Sequence, residues 1–193
     1  MHPTLKSCLP LAGVYLAGRL DTDSEGLVVL TDDGALQQRI ADPRFKKEKI
    51  YWVQVEKIPS EAALDELCRG VQLGKTVTLP AHARIIVGPE ALWPRDPSIR
   101  YRQAIPTAWL ELRIREGKHR QVRRMTAKIG YPTLRLIRYA VGPWSLLGLA
   151  PGEWKEVNSV DRQELYIEST LDEPKHCHQG DSGGPSQQHV TPI

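Results

Sequence analysis

Residues 18–34 read GRLDTDSEGLVVLTDDG, a polar loop that runs into a short apolar segment and then into a second polar turn. The apolar segment, Gly26 to Leu30, is typical of a buried strand. Thr31 to Gly34 then supply turn and N-cap residues for a helix. Leu36 and Ile40 lie four residues apart, which places them on one face of that helix. The stretch therefore predicts a loop, a strand and a helix in direct succession.

The remainder of the chain interleaves strands and helices. The predicted strands are residues 49–56, 82–87, 107–115 and 134–141, and the predicted helices begin near residue 60 and after residue 117. Short turns separate several of the strands. We therefore predict an α+β fold, with a mixed, largely antiparallel sheet and flanking helices, rather than a doubly wound parallel sheet.

Composition narrows the class of protein. The chain has 193 residues, of which 40% are apolar and 25% charged, as in ordinary globular domains. It contains no apolar run long enough to span a membrane and no secretory signal pattern. The three cysteines are odd in number and widely spaced, which argues against a disulfide framework and favours a reducing compartment. We expect a cytoplasmic protein without a membrane partner.

Two parts of the chain differ in composition. Residues 1–157 carry the apolar patterns of a folded domain, whereas residues 158–193 are predicted to be a poorly structured tail. Within that tail, residues 180–185 (GDSGGP) copy a serine-protease nucleophile motif around Ser182, and His176-Cys177-His178 offers side chains that bind metals. We interpret both as coincidences, because neither has the further catalytic or ligating partners that its chemistry needs. No metal site is predicted.

Positive charge is concentrated in one segment. Nine Lys and Arg residues stand between Arg113 and Arg138, and Glu116 is the single acid among them. Such a segment is either a solvated helix face or a surface that attracts a phosphate backbone. Lys118, His119 and Arg120 are predicted to form the first turn of a helix, whose N-terminus favours anions. This placement favours RNA or DNA.

The loop before the first strand contains three acids, one arginine and two glycines. An aspartate beside an arginine is suited to act as a nucleophile or a base, and loops on a rigid scaffold often carry catalytic groups. The alternative is a turn that only caps the strand, and composition alone favours this alternative.

A family resemblance decides between the two. GRLDTDSEGLVVLTDDG resembles the signature of the type-A pseudouridine synthases, which modify ribosomal RNA of the small subunit. Residues 49–53 (KIYWV) resemble the family's K-x-Y-x-V strand, and residues 116–125 (EGKHRQVRRM) its E-G-R/K-x-R-Q-V/I-R-R-M helix. Residues 92–96 and 105–109 look most similar to the type-E branch, which modifies ribosomal RNA of the large subunit.

The resemblance implies a role for each matching residue. Asp21 corresponds to the catalytic aspartate, Tyr51 to the residue that packs against the flipped base, and Arg123 to the cation that pairs with Asp21. Arg19 is implied to hold the RNA or the gap that the flipped base leaves. The exposed residues that we expect to contact the RNA backbone are Lys118, Arg120, Arg124 and Lys128.

The resemblance implies conversion of a specific uridine to pseudouridine in large-subunit ribosomal RNA, by a monomer that needs no metal or organic cofactor. A uridine must leave its stack before such an enzyme can reach it. Relatives carry a K-P-x-G element upstream, and the 20 residues before Asp21 show none. We therefore expect a pseudouridine synthase catalytic fold that is shortened at its N-terminus. A catalytically impaired RNA-binding remnant is the alternative.

Overall fold

A computed structural model describes residues 12–95, 97–99 and 105–157 of the chain. Its main feature is a six-stranded sheet whose long strands are antiparallel. The strands are β1 (Tyr15–Leu16), β2 (Glu25–Gly26), β3 (Leu30–Thr31), β4 (Lys49–Glu56), β5 (Gln72–Leu73), β6 (Thr76–Val77), β7 (His82–Ile86), β8 (Thr107–Ile114), β9 (Thr133–Val141) and β10 (Trp144–Ser145).

The order of the sheet is β10-β9-β4-β8-β7, and β2 adds to β9 in parallel. β1 pairs with β3, and β5 with β6, in two small antiparallel hairpin-like pairs. The predicted α+β class with a mixed, largely antiparallel sheet is confirmed. Of the four predicted long strands, β4 has the predicted bounds and the others differ by one residue at an end.

In the part of the chain that the structure describes, three α-helices flank the sheet: α1 (Gly34–Ala41), α2 (Glu61–Arg69) and α3 (Gln121–Lys128). Asp33 caps α1 by accepting from two backbone N–H groups, and Ser60 caps α2. A 3₁₀ turn (Pro43–Phe45) follows α1. Within the described ranges, none of the helices is both long and apolar enough to cross a membrane.

The core has two parts. The larger one lies on the Tyr51 face of the sheet, where alternate residues of β4 and β8 meet the apolar faces of α2 and α3. The smaller one gathers Leu27, Val29, Leu36 and Ile40 against the β9–β10 corner. The loop that contains Asp21 runs between Ala17 and Leu27, two members of the smaller core, so both of its ends are anchored by packing.

Two sequence predictions need correction. The segment from Gly26 to Leu30 is not one strand: it pairs with β9 at its start and with β1 at its end, because the chain changes partners at Leu27. The third helix begins at Gln121 rather than at Lys118, since Arg120 adopts a left-handed conformation (φ 49°) that precedes the helix. The predicted tail, residues 158–193, lies outside the described residues, as do Ser182 and the His176–His178 segment.

Candidate active site

The loop that carries Asp21 is fixed by its exit strand. Gly26 in β2 pairs with Arg138 in β9, and a Cβ at Gly26 would lie only 2.4 Å from the Arg138 carbonyl oxygen. Its φ of +110° also favours glycine. Inside the loop, the Ser24 N–H donates to the Asp21 carbonyl at 2.9 Å and closes a turn. Arg138 and Tyr51 are paired across β9 and β4, so the loop lies one strand away from Tyr51.

Asp21 and Tyr51 line the same cavity, which has a volume of about 400 Å³. These two residues are 30 positions apart in the sequence, and the pairing of β2 with β9 and of β9 with β4 brings them together. Basic residues from four parts of the chain line the same cavity: Arg19, Lys49, Lys118, Arg120 and Arg138. The cavity therefore combines a carboxylate, an aromatic ring and several cations.

Tyr51 is buried and protonated at neutral pH. Burial raises the pKa of its phenol, and the neighbouring Arg138 guanidinium opposes this shift. Arg138 is itself 3% exposed, and it donates to the carbonyls of Leu27 at 2.8 Å and Arg19 at 3.2 Å. One buried guanidinium thus joins the tyrosine strand to both ends of the Asp21 loop.

Lys49 adds a second buried cation to the floor of the cavity. It is 9% exposed, and its ammonium donates to the Lys47 carbonyl at 3.0 Å. Burial, with repulsion from Arg138, lowers the pKa of Lys49 to about 8. At neutral pH it is therefore mostly protonated, and it contributes positive charge to the lining of the cavity.

Asp23 forms ion pairs with two arginines, Arg120 and Arg123. Both of its carboxylate oxygens accept hydrogen bonds from Arg120, at 2.8 and 2.9 Å. Arg123 approaches the same carboxylate at 3.3 Å and donates to the Asp23 backbone carbonyl at 2.6 Å. The Arg120 hydrogen bonds hold the pKa of Asp23 below its usual value, against the effect of burial.

This arrangement corrects one prediction about Arg123. The resemblance implied that Arg123 pairs with Asp21, whereas the structure pairs it with Asp23, two residues further on. Burial lowers the pKa of Arg123, and the charges of Asp23 and Asp21 oppose this shift, so Arg123 still interacts electrostatically with Asp21. The physical reason is the course of the loop, which turns at Asp21 and places the carboxylate of Asp23 within range of Arg123 on α3. A catalytic role for Arg123 remains a prediction.

The remaining predicted RNA contacts lie on the surface, and two of them, Arg19 and Lys118, also line this cavity. Arg19, Lys118, Arg124 and Lys128 are exposed, and Lys118 also pairs with Glu116 at 3.1 Å. Arg120 differs from them, because its guanidinium is held by Asp23. The buried Glu116 accepts from the Leu79 N–H and from Gln121, and this network fixes the turn that enters α3.

Comparison with known proteins identifies the family. The family model described as RNA pseudouridylate synthase matches residues 11–128. The chain belongs to the RNA pseudouridylate synthase family. It is 57% identical, over 155 residues, to the ribosomal large subunit pseudouridine synthase E of Vibrio vulnificus (strain CMCP6), covering 80% of this chain and 66% of that protein.

More distant relatives agree with this family. The chain is 36% identical to the ribosomal small subunit pseudouridine synthase A of Escherichia coli (strain K12), over 83% of this chain and 64% of that protein. A crystal structure of a pseudouridylate synthase superposes with a TM-score of 0.69 at 28% identity, covering 84% of this chain and 65% of the other. The chain thus spans about two thirds of these relatives' lengths. The predicted similarity to the type-A and type-E ribosomal pseudouridine synthases is confirmed.

Three charged residues of the candidate site were not predicted from the sequence. Asp23 belongs to the quoted motif, but nothing in the motif distinguishes its role from that of the other acids. Lys49 belongs to the matched K-x-Y-x-V strand and Arg138 to the basic segment, and the sequence indicated no role in the cavity for either. The sequence does contain a sign of such roles, namely a charged residue within a predicted strand. A charged side chain is rarely buried without a partner or a function. Within the described residues, no group of three or more His, Cys, Asp or Glu side chains is placed to hold a metal ion.

Proposed function

We propose that this chain converts a specific uridine of large-subunit ribosomal RNA to pseudouridine, with Asp21 as the catalytic carboxylate. The observation that carries the proposal is the shared cavity of Asp21 and Tyr51, with cations around it. The name of the 57% identical relative supports the choice of large-subunit ribosomal RNA. The proposal includes action as a monomer in the cytoplasm without a metal or organic cofactor.

Asp21 and Tyr51 have separate roles in the proposed reaction. Uridine leaves its stack and enters the cavity, where the Tyr51 ring packs against it. Asp21 attacks the nucleotide and the bond from C1′ to N1 breaks. After the base has turned, C5 bonds to C1′, and the bond between Asp21 and the nucleotide breaks, which restores the free carboxylate. C5 loses a proton and N1 gains one, so the product is an isomer and no co-substrate is consumed. The protonated phenol of Tyr51 lies in the cavity where this proton exchange takes place.

The cations have two functions in this proposal. Lys49 and Arg138 supply positive charge at the floor of the cavity, where the detached base carries negative charge. Lys118, Arg124 and Lys128, together with Arg19, attract the RNA backbone at the surface. Arg123, which lies between the Asp23 ion pair and the charge of Asp21, keeps the loop oriented toward the cavity.

The proposal predicts that Asp21→Asn abolishes turnover but keeps RNA binding. The amide retains the shape of the loop but cannot attack, so the rate should fall on the order of 10³-fold or more. Affinity should change little, because binding comes from the basic surface. The measurement is pseudouridine formation in large-subunit ribosomal RNA by purified chain, together with RNA affinity. Asp32→Asn, an exposed carboxylate in the next turn, is the matched control.

The outcomes of this experiment distinguish an active enzyme from a catalytically impaired RNA-binding remnant of the same fold. Wild-type turnover that Asp21→Asn removes and Asp32→Asn preserves supports the proposal. RNA binding without turnover by the wild type would identify a catalytically impaired RNA-binding protein instead. Mapping pseudouridine in ribosomal RNA from cells with and without this chain then locates the modified uridine.

A further inference from the structure

A second cavity, of about 480 Å³, opens beside the Asp21 loop. One wall is the segment from Thr22 to Glu25, which directly follows Asp21, and the other consists of Trp93, Pro94, Arg95 and Pro97. We call this cavity the side groove. Ser24 lines both the side groove and the Asp21 cavity, so the two meet at one residue. The Ser24 hydroxyl is buried and has no hydrogen-bond partner in the part of the chain described.

The Trp93 wall is tied to the catalytic loop. The Trp93 indole N–H donates to a Glu25 carboxylate oxygen at 2.6 Å, and Arg135 donates to the Trp93 carbonyl at 2.9 Å. Arg95 bridges the segments by donating to the carbonyls of Leu134 at 2.8 Å and Asp23 at 3.2 Å. The side groove is therefore formed before any ligand binds, and its shape is coupled to the loop that presents Asp21.

The charges of the side groove are already neutralised. Arg120 holds the carboxylate of Asp23, and Arg135 holds that of Glu25 with two hydrogen bonds, at 2.9 and 2.8 Å. These acids therefore do not repel RNA. Arg95 also lines the groove, but its guanidinium is engaged by the Leu134 and Asp23 carbonyls and lies 3.6 Å from Glu25, so it is not a free cation for a phosphate. The other described side chains of that wall are one aromatic ring and two proline rings.

The Trp93 ring is held in a fixed orientation. The Arg135 guanidinium lies 5.6 Å from the ring centroid, and the Glu25 bond fixes the ring edge. A fixed aromatic ring next to proline rings suits a flat, uncharged group. In an RNA substrate that group is a nucleobase, and unstacked bases are commonly recognised by stacking on aromatic side chains.

We propose that the side groove binds the nucleobase next to the target uridine, with Trp93 as its stacking surface. This inference rests on the proposed function. When the uridine leaves its stack and enters the Asp21 cavity, the adjacent base loses a stacking neighbour. The side groove, which meets that cavity at Ser24, offers the adjacent base a replacement surface. The two cavities together then hold two consecutive nucleotides of the RNA.

The test combines protein variants with modified RNA. The substrate is a large-subunit ribosomal RNA fragment that contains the mapped uridine, and two further fragments carry an abasic nucleotide on its 5′ or its 3′ side. On intact RNA, Trp93→Ala should lower kcat/KM by about 5- to 150-fold, the equivalent of one base–aromatic stack, and Trp93→Tyr should keep most of it. Trp154→Ala removes a half-exposed tryptophan that lines neither cavity and is the matched control.

The abasic RNAs decide the inference. At one of the two neighbouring positions, loss of the base should reduce wild-type kcat/KM to the level of Trp93→Ala, and the two changes together should cause no further loss. If Trp93→Ala lowers kcat/KM by the same factor on intact RNA and on both abasic RNAs, the side groove does not bind a base. Absence of wild-type turnover on intact RNA would overturn the proposed function instead. In that event the same comparison, made on RNA affinity, still decides the inference.

Discussion

At the scale of single residues, Asp23 and the two arginines that it binds form the charged group next to Asp21. Asp23→Asn would keep the size of the side chain and remove its charge. Arg120 and Arg123 would then lose their carboxylate partner and turn toward Asp21, which would shift the catalytic loop. We expect kcat to fall by about 10- to 100-fold, the range that small displacements of a reacting group cause, while RNA affinity stays equal or rises. The measurement is the separate determination of kcat and KM.

The pH dependence adds a second criterion for Asp23. Because Arg120 holds the pKa of Asp23 below its usual value, the carboxylate is charged throughout the neutral range, and its stabilising pairing is lost only in acid. The defect of Asp23→Asn should therefore be constant between about pH 6 and pH 9. Asp65→Asn is the control, since Asp65 forms an exposed ion pair with Arg69 on α2. A kcat equal to that of the control would mean that Asp23 only forms a surface ion pair.

At the scale of elements, periodicity predicted the long strands and the helices well, because each buries one regular face. β4 alternates buried and half-buried residues along its whole length, and Leu36 and Ile40 are the buried residues of α1, as their spacing predicted. The segment after the Asp21 loop was misjudged. The short apolar segment from Gly26 to Leu30 does not reveal that the chain pairs first with β9 and then with β1. These two partner strands are more than 100 residues apart from each other in the sequence.

The start of α3 is a second place where the sequence pattern does not reveal the tertiary contacts that decide the structure. Lys118, His119 and Arg120 have helical propensity, but tertiary contacts override it. Arg120 turns into a left-handed conformation that carries its guanidinium to Asp23, and the Gln121 side chain accepts from the Lys118 N–H. The motif predicted roles for Asp21, Tyr51 and Arg123, but only the fold shows that Arg123 meets Asp23. Contacts between separate motifs are set by strand pairing, which a single sequence does not contain.

The β2–β9 contact gives a prediction about an element junction. Gly26→Ala would place a Cβ 2.4 Å from the Arg138 carbonyl oxygen and 2.6 Å from its nitrogen, and both atoms belong to a strand that cannot move freely. The φ of +110° adds strain for any other residue. We expect unfolding to become easier by roughly 2–4 kcal/mol, measured by denaturant titration.

Gly34→Ala is the matched control for this prediction. Gly34 is the first residue of α1, and a Cβ there would meet no atom within 4 Å. Alanine is a better helix former, so the change should be neutral or stabilise by up to about 1 kcal/mol. If Gly26→Ala and Gly34→Ala unfold at the same denaturant concentration, β2 does not need glycine, and the close pairing with β9 is wrong.

At the scale of the whole molecule, the net charge of +3 conceals a strong segregation of charge. The basic residues of the segment from Arg113 to Arg138 divide into three groups in the structure. Some are buried, as Arg135 and Arg138 are; some are held by acids, as Arg120 is by Asp23; and Lys118, Arg124 and Lys128 are exposed, although Lys118 also pairs with Glu116 at 3.1 Å. If the chain binds RNA as proposed, only the exposed group is available to it, so a count of basic residues in the sequence overestimates the number of phosphates that the protein neutralises.

The exposed cations predict the salt dependence of RNA binding. If Lys118, Arg124, Lys128 and Arg19 neutralise about four phosphates of single-stranded RNA, log affinity should fall with log salt at a slope of about −3. Arg124→Ala should weaken binding of all RNA sequences alike and flatten this slope by about 0.7, since one fewer counterion site is released. The measurement is a salt titration of RNA affinity at constant pH.

Two further variants test this assignment of charges. Arg69→Ala removes an equally exposed arginine from α2, outside the basic segment, and should leave the slope unchanged. Arg120→Ala should flatten the slope less than Arg124→Ala and lower kcat more, because Arg120 is engaged by Asp23 in the loop that carries Asp21. If Arg120→Ala flattens the slope as much as Arg124→Ala and leaves kcat intact, its guanidinium leaves Asp23 to bind phosphate when RNA is present.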